Sequence, residues 1–125
     1  MTPAELGTLA GIPGIEIGGH TVRHPILARA SATEQRQEIE PNLKSIAEWT
    51  GKPVRAFAYP NGRPGFDYNA DTMAILRDTG IDIAFNTHGD FARTGEPSLE
   101  RSRFLLLDDT SAGELAHRMT YSWPR

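Results

Sequence analysis

GIEIGGHTVRHP, residues 14–25, joins a short apolar run to two histidines that lie four residues apart. Residues 14–17 are typical of a buried strand, and His20 and His24 follow directly after its end. Each neutral imidazole offers one lone pair, so two of them can make up half of a tetrahedral zinc site. Gly18 and Gly19 let the backbone turn sharply here. The alternative is a polar turn in which the histidines bond only to backbone carbonyls.

Outward from this stretch, helical and extended patterns alternate along the chain. Apolar residues at helical spacing, between capping residues and terminating glycines, indicate helices, whereas short apolar runs indicate strands. This alternation is typical of βαβ units and a parallel sheet. The predicted order is a helix from Thr2 to Gly11, a strand at 14–17, a helix at 31–50, a strand at 54–59, a helix at 69–80, strands at 81–85 and 104–107, and a helix from Ser111.

Two local features refine the predicted helices. Thr2 with Glu5, Ser31 with Glu34, and Ser111 with the glutamate three residues later form capping-box patterns. Pro41 lies within the second helix, where proline removes a hydrogen bond and costs about 3 kcal/mol unless the helix adapts. We therefore expect a kink there, or two shorter helices.

Polar residues follow every predicted strand. In parallel α/β folds, functional groups gather at the carboxyl ends of the strands. We therefore expect four groups to converge on one rim: His20 with His24, the segment 59–62, the segment 86–88, and Asp108 with Asp109.

Composition excludes several classes of function. The 125 residues carry a formal net charge of −3 without a basic cluster, which argues against a nucleic-acid partner. No apolar run approaches the ~20 residues of a membrane span, and the first residues lack a signal-peptide pattern, so the compartment stays open. The absence of cysteine excludes thiolate metal sites. Four parallel strands do not close a barrel, so we expect a homo-oligomer through an open sheet edge, or a part of a larger domain.

Residues 14–25 resemble the second motif of the polysaccharide deacetylases, the NodB-homology domains of carbohydrate esterase family four. That motif is His-Ser/Thr-x-x-His, and its two histidines bind the metal. FAYPNG, residues 57–62, resembles the third motif, which lines the active-site groove, and one predicted helix separates the two motifs as in the family. Residues 72–87 and 101–109 match the family's later half, so the resemblance covers nearly the whole chain.

The resemblance implies an α/β fold, an incomplete and deformed (β/α) barrel with a mostly parallel sheet, in one domain over residues 1–125. It implies hydrolysis of N- or O-acetyl groups on a carbohydrate, with a divalent metal, zinc, held by His20 and His24. Asn61 would offer a backbone N–H to the oxyanion. Tyr59, Pro60 and Gly62 would line the substrate site, and we expect Thr21 to brace the histidine turn by hydrogen bonding.

The chain departs from the family at the first motif, whose two consecutive aspartates supply the catalytic base and the third metal ligand. Nothing before Gly14 resembles it. We therefore expect a domain that is truncated at its N-terminus relative to the family and lacks the catalytic base. Asp67, Asp108 and Asp109 are the carboxylates that could replace the missing aspartates, although aspartates after strands commonly cap helices or form turns.

Two further positions differ from other family members. Ala58 stands where some have an arginine, and His117 has no clear counterpart to their late leucine-histidine pair. The alternative function is a non-catalytic, carbohydrate-binding or self-associating remnant of a deacetylase domain.

Overall fold

The computed structural model describes residues 1–88, 94–103 and 106–121. Its regular elements alternate between helix and strand. They are α1 (Pro3–Ala10), α2 (Ala32–Thr50), β1 (Ala56–Ala58), α3 (Ala70–Asp78), β2 (Ile83–Phe85) and α4 (Ala112–Tyr121), with short 3-10 helices at Leu27–Arg29 and Ser98–Glu100.

The sheet is small, parallel and open, as the sequence predicts. β1 pairs with β2 in register, Phe57 opposite Ala84. Single parallel bridges extend the sheet on both sides, from Gly19 to Phe57 and from Arg101 to Phe85. The carboxyl ends of four extended segments therefore follow one another across the sheet, as expected for a partial NodB-type fold.

The predicted strand at residues 14–17 is wrong in position. The backbone pairs at Gly19 instead, where its N–H donates to the Ala56 carbonyl at 2.8 Å and its carbonyl accepts from the Ala58 N–H at 2.9 Å. Ile15 is 42% exposed, so the apolar run that suggested a buried strand lies largely at the surface. A side chain at position 19 would clash, since its Cβ would lie 2.5 Å from Leu43 Cδ2.

The fourth predicted strand, residues 104–107, is displaced as well. Residues 104 and 105 lie outside the described part, and Leu106 and Leu107 are exposed without strand pairing. The extended segment beside β2 is centred on Arg101, whose N–H donates to the Ala84 carbonyl at 2.9 Å. Buried Leu99 anchors this segment to the core. In the sequence, this single leucine is a weaker indication of a strand than the leucine run that follows.

The helix predictions are confirmed, because their signals are local. The capping boxes at Thr2 and Ser31 are both present, and Asn69 caps α3. The Glu114 N–H donates to Ser111 Oγ at 3.1 Å. α2 is one helix that includes Pro41, which excludes the alternative of two shorter helices, and the kink stays a prediction. No helix in the described ranges combines the length and apolar composition of a membrane span.

The core lies between the sheet and helices α2 and α3. Tyr59 and Tyr68 stack at its centre, with ring centroids 3.7 Å apart and planes within 5°. Their hydroxyls donate to the Leu99 carbonyl at 2.8 Å and to Glu100 Oε1 at 3.0 Å. The other buried apolar members are Leu27, Ile39, Leu43, Ile46, Val54, Phe57, Ile75, Leu76, Ile81, Ala84 and Leu99.

Candidate active site

His20 lies at the carboxyl end of the first extended segment, against the end of β1. Its Nδ1 is 2.6 Å from the Ala58 carbonyl oxygen. A carbonyl only accepts, so Nδ1 carries the proton and Nε2 keeps its lone pair in the neutral ring. Metal-binding histidines typically have this second-shell arrangement, because it fixes both the tautomer and the ring orientation.

His24 lies four residues further on, at the end of a strained loop. Its backbone N–H donates to Thr21 Oγ1 at 3.1 Å, so Thr21 braces the turn as predicted. Thr21 has φ 66° and His24 has φ 58°. Both values lie in the left-handed region, which is unfavourable for residues with a Cβ. The third non-glycine residue in this region among the described residues is Asn61, at the neighbouring turn.

The two imidazole rings are close enough to share one ion. Their centroids are 4.8 Å apart, with the planes at 70°. A zinc ion about 2.0 Å from one nitrogen of each ring, in tetrahedral geometry, places the ring centres roughly 5 Å apart. The pair therefore fits two positions of such a site. In the described part of the chain, no cluster of three or more histidine or acidic side chains is placed to hold a metal.

Two side chains of helix α2 accept hydrogen bonds from the histidine loop. Asn42 Oδ1 accepts the His20 backbone N–H at 2.9 Å. The buried Glu38 carboxylate accepts the Arg23 backbone N–H at 2.8 Å and its side-chain Nε at 2.6 Å. Burial alone would raise the pKa of Glu38, but these bonds to Arg23 outweigh it and hold the pKa below its ordinary value.

In the turn after β1, one backbone N–H has no acceptor among the described residues. The Tyr59 N–H donates to the Phe85 carbonyl at 3.1 Å, and the Gly62 N–H to the Pro60 carbonyl at 2.6 Å, whereas Pro60 has none. The Asn61 N–H donates to no acceptor among the described residues. Asn61 is also exposed, so its N–H is available to a ligand.

Thr87, just after β2, holds this turn in place. Its hydroxyl donates to the Asn61 carbonyl at 2.6 Å, and its backbone N–H donates to the Gly62 carbonyl at 2.9 Å. Gly62 has φ 88°, and a Cβ there would lie 3.1 Å from the Thr87 backbone nitrogen. Glycine therefore meets both the conformational and the steric requirement at position 62.

The other residues predicted to line a substrate site lie below the surface. Tyr59 is 0% exposed, and Pro60 and Gly62 are buried. A ring that stacks on a sugar needs an exposed face, so Tyr59 supports the turn from the core and offers no such face. Burial raises the Tyr59 pKa far above its ordinary value, which keeps the hydroxyl a neutral donor.

Asp67 is committed to an ion pair. Its Oδ2 accepts the Arg63 backbone N–H and Nε, both at 2.9 Å, and its Oδ1 accepts Nη2 at 3.1 Å. The hydrogen bonds from the Arg63 side chain hold the pKa of this buried carboxyl below its ordinary value. Asp67 thus closes the loop that follows Gly62 and does not join the histidines.

The remaining predicted rim residues do not gather around the histidine pair. Asp108 and Asp109 are exposed on a turn. His88 is also exposed, and its backbone N–H donates to Asn86 Oδ1 at 3.0 Å. His117, which is not one of the predicted rim residues, is in α4, with its ring 5.0 Å from that of Tyr121. Of the four predicted groups, His20 of the first contacts Ala58, directly before the second, and Thr87 of the third bonds to Asn61 and Gly62 of the second.

Sequence reasoning missed the two α2 residues that hold the histidine loop. Glu38 and Asn42 lie four residues apart, which places them on the same side of a helix. Both side chains are polar, like those on a solvated helix face, so the residue types alone do not indicate a contact with the histidine loop. Only Pro41 between them marks this stretch as unusual.

Comparisons with known proteins agree with the fold. The family profile described as polysaccharide deacetylase matches residues 3–84. Streptococcus pyogenes deacetylase PplD in complex with acetate is similar in structure, with a TM-score of 0.82 and 25% identity, over 95% of this chain and 50% of that one. A polysaccharide deacetylase from Bacillus cereus gives a TM-score of 0.79 at 20% identity, over 95% of this chain and 36% of that one.

The chain therefore spans half the length or less of these two solved structures. A comparison with curated protein sequences gave no significant match.

Proposed function

This chain belongs to the polysaccharide deacetylase family, and on that premise we propose that it contributes to metal-dependent hydrolysis of N- or O-acetyl groups on a carbohydrate. The observation that carries the proposal is the His20 ring, whose Nδ1 bond to the Ala58 carbonyl leaves Nε2 as a ligand, with the His24 ring 4.8 Å away. The proposed roles follow from these contacts.

His20 and His24 would hold a divalent ion, for which zinc is the natural choice given two imidazole donors. When bound, such an ion polarises a carbonyl oxygen and lowers the pKa of water, which is the chemistry that hydrolysis of an acetyl group requires. His20 would contribute a tautomer fixed by the Ala58 carbonyl, and the hydrogen bonds from the loop backbone to Asn42 and Glu38 would hold the two rings at their separation.

Asn61 would stabilise the oxyanion that forms when the acetyl carbon becomes tetrahedral. Asn61 is an exposed residue whose N–H donates to no acceptor in the described residues, while the Thr87 hydroxyl bonds to the Asn61 carbonyl. A preorganised donor of this kind is typically worth about 3 kcal/mol of barrier. The contribution depends on the turn's rigidity, because the donor must not reorganise during the reaction.

The proposal assigns no catalytic base to the described residues. Asp67 is bound to Arg63, while Asp108 and Asp109 lie on an exposed turn. Loss of a general base typically lowers the rate by about 10²–10⁴-fold. We therefore expect this chain alone to be at best a slow catalyst.

Acetate release from N-acetylglucosamine oligomers, measured with and without zinc, tests the proposal. The variant His20→Ala/His24→Ala removes the ion's ligands, and His88→Ala/His117→Ala is the matched control, because it removes two exposed histidines. We expect slow, zinc-dependent release by the wild type and the control, and none by the first variant. Release that does not depend on zinc or on the histidine pair would contradict the metal-dependent mechanism.

The same proteins test the alternative of a carbohydrate-binding remnant. Oligosaccharide binding that is unchanged by zinc and by the loss of both histidines, without acetate release, would favour that alternative. This alternative stays open because, among the described residues, no carboxylate completes a metal-binding cluster with the two histidines.

A further inference from the structure

We propose that Glu38, in the middle of α2, is a positioning residue that holds the His20–His24 loop in the conformation in which both imidazoles face one ion. This inference rests on the proposed function in its metal-binding part. It concerns a residue with no hydrogen bond to either histidine side chain, and it follows from three hydrogen bonds of Glu38, its burial and the strain of the loop.

The contacts of Glu38 fall between the two histidines in sequence. Its carboxylate takes both the backbone N–H and the side-chain Nε of Arg23, at 2.8 and 2.6 Å, while its backbone carbonyl accepts the Val22 N–H at 3.2 Å. One helical residue thus binds two consecutive residues at the apex of the loop. Neither Val22 nor Arg23 can move away without leaving a Glu38 oxygen without its partner.

Burial makes this attachment hard to break. The Glu38 side chain is only 5% exposed, whereas that of Arg23 is 79% exposed. Water can readily solvate Arg23, but it cannot readily solvate the carboxylate on the other side of the pair. A buried charge without its hydrogen bonds is costly, so the carboxylate holds the loop backbone more firmly than an exposed ion pair would.

The loop needs such an attachment, because its backbone is unfavourable without one. Thr21 and His24, which flank the two bound residues, both have positive φ values. Strained backbone of this kind persists where surrounding contacts determine it and is concentrated at functional sites. The Thr21 hydroxyl bonds within the loop, so it cannot fix the loop relative to the rest of the fold. Glu38 supplies that external fixing point, and Asn42 supplies a second one at His20.

Pro41 lies three residues after Glu38, in the same helix. Proline lacks an N–H and disturbs the hydrogen bonds of the preceding turn. The Glu38 carbonyl lies in that turn and accepts a bond from the loop. The N–H that Pro41 lacks would have bonded to the Gln37 carbonyl, so α2 loses a helical bond one residue before the point where it takes a loop N–H.

The experiment compares Glu38→Gln with Glu40→Gln. Both changes remove one negative charge from the same helix, but Glu40 is exposed and pairs with Arg36 at 3.0 Å, away from the loop. Zinc affinity is measured by calorimetry and amide hydrogen exchange by NMR, on the full chain. We expect Glu38→Gln to weaken zinc binding about tenfold, as loss of an outer-shell partner typically does, and Glu40→Gln to leave it unchanged.

Amide exchange distinguishes positioning from general stability. In Glu38→Gln, the amides of Val22, Arg23 and His24 should exchange faster, while those of α3 keep their protection. Arg23→Ala provides a second variant should Glu38→Gln fail to fold, because it leaves the buried carboxylate and the backbone N–H in place. It should weaken zinc binding in the same direction.

Each outcome decides the inference. Equal zinc affinity and equal loop exchange in Glu38→Gln and Glu40→Gln would overturn it, as would faster exchange throughout the chain, which indicates a merely structural role. If the wild type binds no zinc, the metal-binding part of the proposed function fails. The inference is then judged by loop exchange alone, and unaltered exchange at Val22 and Arg23 would end it.

Discussion

At the scale of single residues, burial decides what a charged side chain contributes. Asp67 and Asp82 each accept a bond from an arginine at 2.9 Å. The Asp67 side chain is fully buried, whereas the Asp82 side chain and its partner Arg55 are both more than half exposed. Exposed pairs are worth little, because solvent screens them and their side chains lose entropy.

This contrast predicts different costs for the same substitution. Asp67→Asn should lower the free energy of unfolding by about 2 kcal/mol, because it weakens charge-assisted bonds to a buried acceptor. Asp82→Asn, its matched control, should change it by less than about 1 kcal/mol. Urea unfolding of both variants measures the difference. Equal effects would mean that the Arg63 bonds do not depend on burial.

The same carboxylates predict how stability depends on pH. The pKa values of Glu38 and Asp67 are lower in the folded protein than ordinary values, mainly through hydrogen bonds from Arg23 and Arg63. Each group therefore stabilises the fold at a pH above its unfolded pKa, about 4. This stabilisation is lost as the pH falls from there through the lower folded pKa.

The free energy of unfolding, measured at a series of pH values, should decrease as the pH is lowered below about 4. The decrease should be less steep for Asp67→Asn. A slope that Asp67→Asn leaves unchanged would contradict the assignment to Asp67.

At the scale of elements, helix ends follow from sequence far better than strand positions do. The Ser31 and Glu34 side chains cap α2 through contacts three residues apart, so the pattern itself contains the interaction. The first extended segment is different. Its pairing is set by Gly19, which has no side chain to signal burial, while exposed Ile15 gives the misleading signal.

The candidate site shows the same division. The histidine pair and the turn at Asn61 lie in contiguous motifs, so their positions could be predicted. The Glu38 contact joins residues 15 positions apart, and a glutamate on a helix is most often solvated. The ion pair between Asp67 and Arg63 could not be predicted either, because an aspartate after a strand has the same sequence pattern whether it is free or paired.

Gly19 offers a prediction about the packing of the first segment against α2. A Cβ there would lie 2.5 Å from Leu43 Cδ2 and 2.9 Å from Phe57 Cδ2, so Gly19→Ala should destabilise the protein by about 1–3 kcal/mol. Gly113→Ala is the control, since space is open there and alanine favours a helix by about 1 kcal/mol. Thermal unfolding should show a lower midpoint for Gly19→Ala and an unchanged or higher one for Gly113→Ala. A tolerated Gly19→Ala would contradict the close contact.

At the scale of the whole molecule, the sheet formed by the described residues ends in single bridges on both sides, at Gly19 and at Arg101. Such edges expose backbone groups that can pair with another chain. We propose that the protein self-associates through one of these edges. Sedimentation over a wide range of concentrations should show a mass that rises with concentration. A monomer at every concentration would contradict this proposal.

The proposed function depends on one property, that His20 and His24 together hold a metal ion. Calorimetric titration with zinc of the wild type, of His20→Ala/His24→Ala and of the control His88→Ala/His117→Ala tests it most directly. We expect stoichiometric zinc binding by the wild type and by the control, and no zinc binding by His20→Ala/His24→Ala. Equal binding by all three proteins, or by none, would contradict it.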